Sequence, residues 1–139
     1  MAKRRIPDDA GLAAVRAWEA DPDGTDRRTL ALAVRYALEE LAHRAPGNSV
    51  EVRVPPFGVT QAVEGPRHTR GTPPSVVETD ARTWLGLVTG ASTWAEAHEA
   101  GALDASGNRS DISSLLPLFA TRTAARRRTE TSTKDTQQR

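Results

Sequence analysis

Val50-Glu51-Val52-Arg53-Val54-Pro55-Pro56-Phe57-Gly58-Val59-Thr60-Gln61-Ala62-Val63 is the stretch whose reading decides the fold. Valines at 50, 52 and 54 alternate with Glu51 and Arg53, the period of two that marks a strand with one buried face. Pro55-Pro56-Phe57-Gly58 interrupts the alternation and Val59 to Val63 resumes extended structure, so a hairpin with a proline-stiffened connection is expected. Upstream the period is helical. Leu30, Ala33, Val34, Ala37, Leu38 and Leu41 form one apolar stripe, with Thr25 or Asp26 to cap its start and Pro46-Gly47 to end it. Arg27, Arg28, Arg35, Glu39 and Glu40 are left largely to solvent. Downstream, an 11-residue polar stretch from Gly65 to Ser75 precedes a third strand, Val76-Val77-Glu78. Thr79 or Asp80 caps a helix carrying Trp84, Leu85, Leu87 and Val88, which Gly90 stops. Thr93-Trp94-Ala95-Glu96 fits a capping box for a short helix ending at Gly101. Ala102 to Ser106 reads as a fourth strand. Ser110 or Asp111 starts a last helix with Ile112, Leu115, Leu116 and Phe119. Strands that run consecutively and then give way to helices predict an α+β fold with an antiparallel sheet, not βαβ winding.

The ends of the chain read differently from its middle. Leu12, Val15 and Trp18 give a narrow apolar stripe to a short helix between Asp9 and Ala20, which Asp21-Pro22-Asp23-Gly24-Thr25 closes. Trp18 is expected to be a satellite contact of this loosely attached helix. After Phe119 there is no large apolar side chain, and residues 121–139 carry six basic against two acidic side chains. Such a segment lacks the burial that would offset the entropy of ordering it. The expected division is therefore an N-terminal arm over 1–25, a folded domain over 26–118 and a disordered basic tail over 119–139. Arg126-Arg127-Arg128 is the strongest basic point of that tail. It is read as a solvated segment, and nucleic acid is not an expected partner.

Composition excludes several classes of chemistry. Nineteen basic residues against 18 acidic ones leave a net charge of +1 over 139 residues, so no global field steers the protein to an anionic surface. Without cysteine there are no disulfides, zinc-thiolate sites or thiol nucleophiles. His43, His68 and His98 lie far apart with no metal-ligand spacing, and Ser49, Ser75, Ser92 and Ser106 lack a nucleophile elbow. No metal, cofactor or catalytic activity is expected. Apolar runs are too short to span a membrane. The basic start Met1-Ala2-Lys3-Arg4-Arg5 is followed by Pro7-Asp8-Asp9 rather than the apolar core of a signal peptide, so a cytoplasmic location is expected.

The most unusual segment is Gly65-Pro66-Arg67-His68-Thr69-Arg70-Gly71-Thr72-Pro73-Pro74. Arg67, His68 and Arg70, held between Gly-Pro and Pro-Pro, form a candidate anion cradle, since guanidinium groups grip carboxylate or phosphate in bidentate fashion. The alternative is an ordered crossover in which Arg67 and Arg70 bond backbone carbonyls or pair with Glu64 and Glu78. Arg53 and Gln61 flank the hairpin connection and would present a polar patch if paired across it. Trp84 and Trp94 are read first as core anchors and second as the lining of an apolar cavity.

Three stretches resemble the sterol carrier protein superfamily, specifically its compact bacterial branch found in actinobacteria. They are Ala45 to Phe57, Glu64 to Asp80, and the set Thr83-Trp84-Leu85, Gly90, Thr93 to Ala97, Gly101, Ala105 to Gly107 and Leu115-Leu116-Pro117. The resemblance covers roughly Leu30 to Leu118. It implies an antiparallel sheet of about five strands covered by helices, an apolar tunnel between the layers and no catalytic apparatus. Trp84, Trp94, Phe57 and Leu87 are the candidates for the apolar lining. Arg67, His68, Arg70, Arg53 and Gln61 are the candidates for the polar end of the ligand.

The expected function is noncatalytic binding or carriage of a small apolar or amphipathic ligand, such as a lipid, fatty acyl chain or sterol-like molecule. The alternative is an interaction module that recognises an acidic partner or anionic metabolite through the Arg67–Arg70 loop. The sequence leaves the oligomeric state open. The double substitution Arg67→Gln, Arg70→Gln separates a site from a structural loop. If these residues bind, anionic-ligand affinity falls while the unfolding midpoint holds; unfolding, or unchanged binding, leaves only a structural loop.

Overall fold

The computed structural model describes residues 5–65 and 75–119. The helices are α1 (Asp8–Ala20), α2 (Arg27–Arg44), α3 (Ala81–Thr89) and α4 (Trp94–Glu99). The strands are β1 (Val50–Val54), β2 (Gly58–Ala62), β3 (Ser75–Thr79) and β4 (Leu103–Ser106). Local chemistry accounts for the helix starts. Asp26 accepts from the Thr29 amide at 2.8 Å, Asp80 from the Thr83 amide at 2.8 Å, and the Thr93 hydroxyl from the Glu96 amide at 3.1 Å. The bonds from the Thr29 amide and hydroxyl hold the Asp26 carboxyl below its ordinary pKa. Gly90, at φ 81°, ends α3 in the left-handed region that a residue with a Cβ rarely enters.

The fold is α+β, but its sheet corrects the expectation of about five antiparallel strands. Among the described residues four strands form one mixed sheet in the order β2-β1-β3-β4. β1 pairs antiparallel with β2 from Val50–Ala62 to Val54–Gly58, and β3 pairs antiparallel with β4. β1 and β3 run parallel, with Val52 beside Val77. Parallel neighbours need a long connection, and the chain between β1 and β3 is long enough to include β2 at the sheet's edge. The sequence itself offers only four runs with strand alternation; a fifth strand has no support beyond the resemblance.

The helices cover one face of the sheet. Val50, Val52, Val54, Ala62 and Val77 meet Val34, Leu38 and Leu41 of α2 and Trp84, Leu85 and Val88 of α3 in one buried cluster. Trp84 is 1% exposed and donates its indole N–H to the Val34 carbonyl at 3.4 Å. Ala14, Val15 and Trp18 of α1 belong to the same cluster, so Trp18 is a main-core residue and not a satellite contact. The reason is the closeness of α1 to α2. A Cβ on Gly11 would collide with the Tyr36 ring, and the Tyr36 hydroxyl donates to Asp8 at 2.8 Å.

Glu40, expected in solvent, is also buried and takes the Arg44 Nε–H at 2.7 Å. The expected last helix is a single 3-10 turn, Ser113–Leu115. Pro117 disfavours a helical Leu116, which closes off a further turn. The chain then runs back so that the Leu118 and Phe119 amides both donate to the Val88 carbonyl at 2.9 Å. Phe119 is buried and stacks on Tyr36 with ring centroids 5.6 Å apart. The rest of the expected tail, including Arg126-Arg127-Arg128, lies outside the described residues.

Since Trp18 is sealed between α1 and the layer below, Trp18→Ala should destabilise the full chain by about 3–5 kcal/mol in denaturant unfolding. A loss below about 1 kcal/mol would return α1 to the role of a loosely attached arm.

Candidate functional site

Burial on one face of the sheet leaves the other open. Glu51, Arg53, Val59, Gln61, Glu78, Asp104 and Ser106 alternate with the core residues and point to that outer face. Arg53 is exposed there, and its Nε–H donates to Glu51 at 2.8 Å. This bond and the charge of Glu51, with a smaller share from Glu78, raise the Arg53 pKa above its ordinary value. Arg53 and Gln61 are not opposite one another, as a paired patch would need. Arg53 faces Val59 and Gln61 faces Glu51.

The other sequence candidates separate. Trp84 and Leu87 are buried, the first in the main cluster and the second in a smaller one with Ala97 and Leu103. Trp94 is partly buried and packs against both clusters. Phe57 lines an open groove. Arg67, His68 and Arg70 lie outside the described residues.

That groove is built by α2, the N-terminal segment before α1, and β2. Its volume is about 500 Å³, and Ile6, Leu32, Leu38, Phe57, Val59 and Thr60 are among its lining residues. Each wall has a local cause. Leu32, Arg35 and Glu39 fall three and four residues apart on the stripe of α2 that the sheet does not cover. Gly58 lets β2 approach this helix, since a Cβ there would lie 3.1 Å from Leu38 Cδ1 and 3.6 Å from Arg35 Cγ. Arg35 Nε–H donates to the Phe57 carbonyl at 2.8 Å and so ties the hairpin connection to α2. The Arg27 guanidinium stands over the Phe57 ring, 5.5 Å from its centroid. Glu39 accepts from the Arg5 and Ile6 amides, both at 3.2 Å, which anchors the N-terminal segment as the remaining wall. The rim thus carries Arg5, Arg35 and Glu39 around an apolar floor.

A second groove of about 610 Å³ adjoins it through Val59 and Thr60, bounded by Ala42, Pro46, Gly47, Asn48 and Gln61. The chain is tightly held at that end. Val63 has φ 69°, a strained conformation for a β-branched residue, and is fixed there by hydrogen bonds from its amide to Ala45 and to its carbonyl from Ser49. A Cβ on Gly47 would strike the same Val63 carbonyl.

Sequence reading missed Ile6, Leu32, Arg35, Leu38 and Glu39 as site residues. The available signal was Leu32, an apolar residue off the main stripe of α2; the 58% exposure of Val59 emerges only in the structure. No group of three His, Cys, Asp or Glu side chains gathers as a metal site among the described residues. No helix among them is long and apolar enough to cross a membrane.

The site is thus a partly apolar groove beside the edge strand of a small α+β layer, with Arg5, Arg35 and Glu39 at its rim. Residues 26–118 match the family model described as a bacterial SCP ortholog, and the chain belongs to this sterol carrier protein-like bacterial family. No curated protein matches it.

Proposed function

We propose that the protein binds a small apolar or amphipathic molecule, a lipid, fatty acyl chain or sterol-like compound, without catalysis, in the groove between α2 and β2. Family membership supports carriage of such molecules in general. The observation that carries the placement is the groove itself: about 500 Å³, lined by Ile6, Leu32, Leu38 and Phe57 with the backbone of β2 beside them. Its volume falls in the range of small-molecule sites, about 300–1,000 Å³. An acyl chain laid over this floor gains about 0.8 kcal/mol for each methylene removed from water. Arg5 and Arg35 at the rim favour a polar or anionic end outside that floor.

Two properties follow from burial as the driving force. Affinity rises with chain length until the floor is covered, and added salt changes it little. Native mass spectrometry of protein purified without detergent should show a copurified lipid mass. A series of dansyl-labelled alkyl acids should bind with affinity that grows along the series. Leu32→Glu, which places a charge on the floor at a partly exposed position, should weaken binding by about tenfold or more while leaving the unfolding midpoint nearly unchanged. Repeated recovery of clean apo protein together with no dependence on chain length would contradict the proposal.

A further inference from the structure

The net charge of +1 conceals a separation of sign. The described residues, 5–65 and 75–119, carry nine basic against sixteen acidic side chains, whereas residues 120–139 carry six basic against two acidic. The fold and the chain that leaves it are therefore opposite in charge. On the outer face of the sheet the register sets Val59, Arg53, Glu78 and Asp104 in one row across the four strands, all of them exposed. Arg53 is committed to Glu51 at 2.8 Å, and its interaction with Glu78 is the weaker one. Asp104 stands directly opposite Glu78. Like charges in that position repel, whereas opposite charges attract. Among the described residues neither carboxylate has a hydrogen bond or ion pair.

From these features we infer that the basic segment after Phe119 docks on the outer face of its own chain's sheet, with Arg126-Arg127-Arg128 over the Glu78–Asp104 pair. The inference is independent of the proposed ligand site. Length permits it. Phe119 is a fixed tether, buried against Tyr36 with its amide on the Val88 carbonyl. Arg126 lies seven residues further on and Arg128 nine, spans of up to about 25 and 32 Å for extended chain. The route from the tether to the outer face passes one helix layer, about 10–12 Å thick. Attraction between opposite net charges needs no apolar burial, so it suits a segment without large apolar side chains. The groove between α2 and β2 offers no comparable attraction, since Arg5 and Arg35 are on its rim and Glu39 is held by two backbone amides.

Paramagnetic broadening in the full chain tests this docking. The sequence has no cysteine, so Thr129→Cys accepts a single nitroxide label beside the three arginines. Val76 and Val77 are adjacent in β3 and face opposite sides of the sheet, which makes their methyl groups paired reporters. At about 0.1 M salt the Val76 methyl signals should broaden strongly, with Val77 and the helix-side Val15 and Leu32 affected far less. At about 1 M salt, where the screening length falls from about 10 Å to about 3 Å, the broadening should be lost. The double substitution Glu78→Gln, Asp104→Asn should abolish it at low salt without lowering the unfolding midpoint, since it removes a like-charge pair from an exposed face. Arg126→Gln, Arg127→Gln, Arg128→Gln should do the same from the other partner, and it leaves the described fold unaltered.

No broadening at Val76 in low salt overturns the inference. So does broadening centred on the helix side, broadening that survives either set of substitutions, or broadening that persists in high salt. A mixture of spin-labelled chain at natural isotope abundance with unlabelled, isotope-enriched chain separates the two sources of contact. Sharp Val76 signals in that mixture support docking within one chain; broadening there as strong as in the singly labelled chain assigns the contact to a second copy and overturns it.

Discussion

The burial of α2 on three sides organises this protein. Its Val34, Leu38 and Leu41 lie on the sheet, its Tyr36 meets α1 and Phe119, and the Val34 carbonyl receives the indole N–H of Trp84 from α3. Each neighbour is positioned by a contact with this one helix. Gly11 and Gly58 allow close approach from α1 and β2: a Cβ would collide with the Tyr36 ring at the first and crowd Leu38 Cδ1 at the second. The strands need α2 as much as it needs them, because a sheet with one open face must bury the other. A chain with only 25 residues of Leu, Ile, Val and Phe concentrates its burial here.

A helix has one remaining side when three are buried, and on α2 that side is Leu32, Arg35 and Glu39. Neither wholly polar nor wholly apolar, the stripe is half of a groove, completed by Phe57, Val59 and the N-terminal segment that Glu39 holds. The fold's main packing constraint and its candidate site are therefore two faces of the same element. This ties the groove to stability in a specific way: α2 cannot move without disturbing Trp84 and the sheet, so any molecule in the groove would meet its helix wall in place. The tightly held turn at Gly47 and Val63 fixes the other end of β2.

Much of the fold is legible in the sequence because the patterns involved are local. The stripe from Leu30 to Leu41, the valine alternation of β1, and the caps at Asp26, Asp80 and Thr93 all depend on spacing within a few residues. The direction of β3 is not legible. β1 and β3 bury their residues in the same alternating pattern, which reads identically whether a strand lies parallel or antiparallel to its neighbour. Trp18 reads as peripheral because its short stripe gives no measure of how closely Gly11 brings α1 to α2. The site is less legible still. A groove arises where Leu32, Phe57, Val59 and Ile6 converge from three segments, and of the four only Leu32, off the main stripe of α2, stands out in its own stretch. Arg53 and Gln61 stand out as polar residues near a turn, yet the register sends them to different partners.

The central claim is that ligand meets the protein at the uncovered stripe of α2 and the edge strand, outside the packed layer around Trp84. Amide chemical-shift mapping during titration of isotope-labelled protein with decanoate tests it most directly. The account predicts shifts concentrated at Ile6, Leu32 to Glu39 and Phe57 to Thr60, with Trp84, Leu87 and Leu103 little changed. Shifts centred instead on Leu87, Trp94, Leu103 and Leu116 would contradict it by placing the ligand within the second buried cluster.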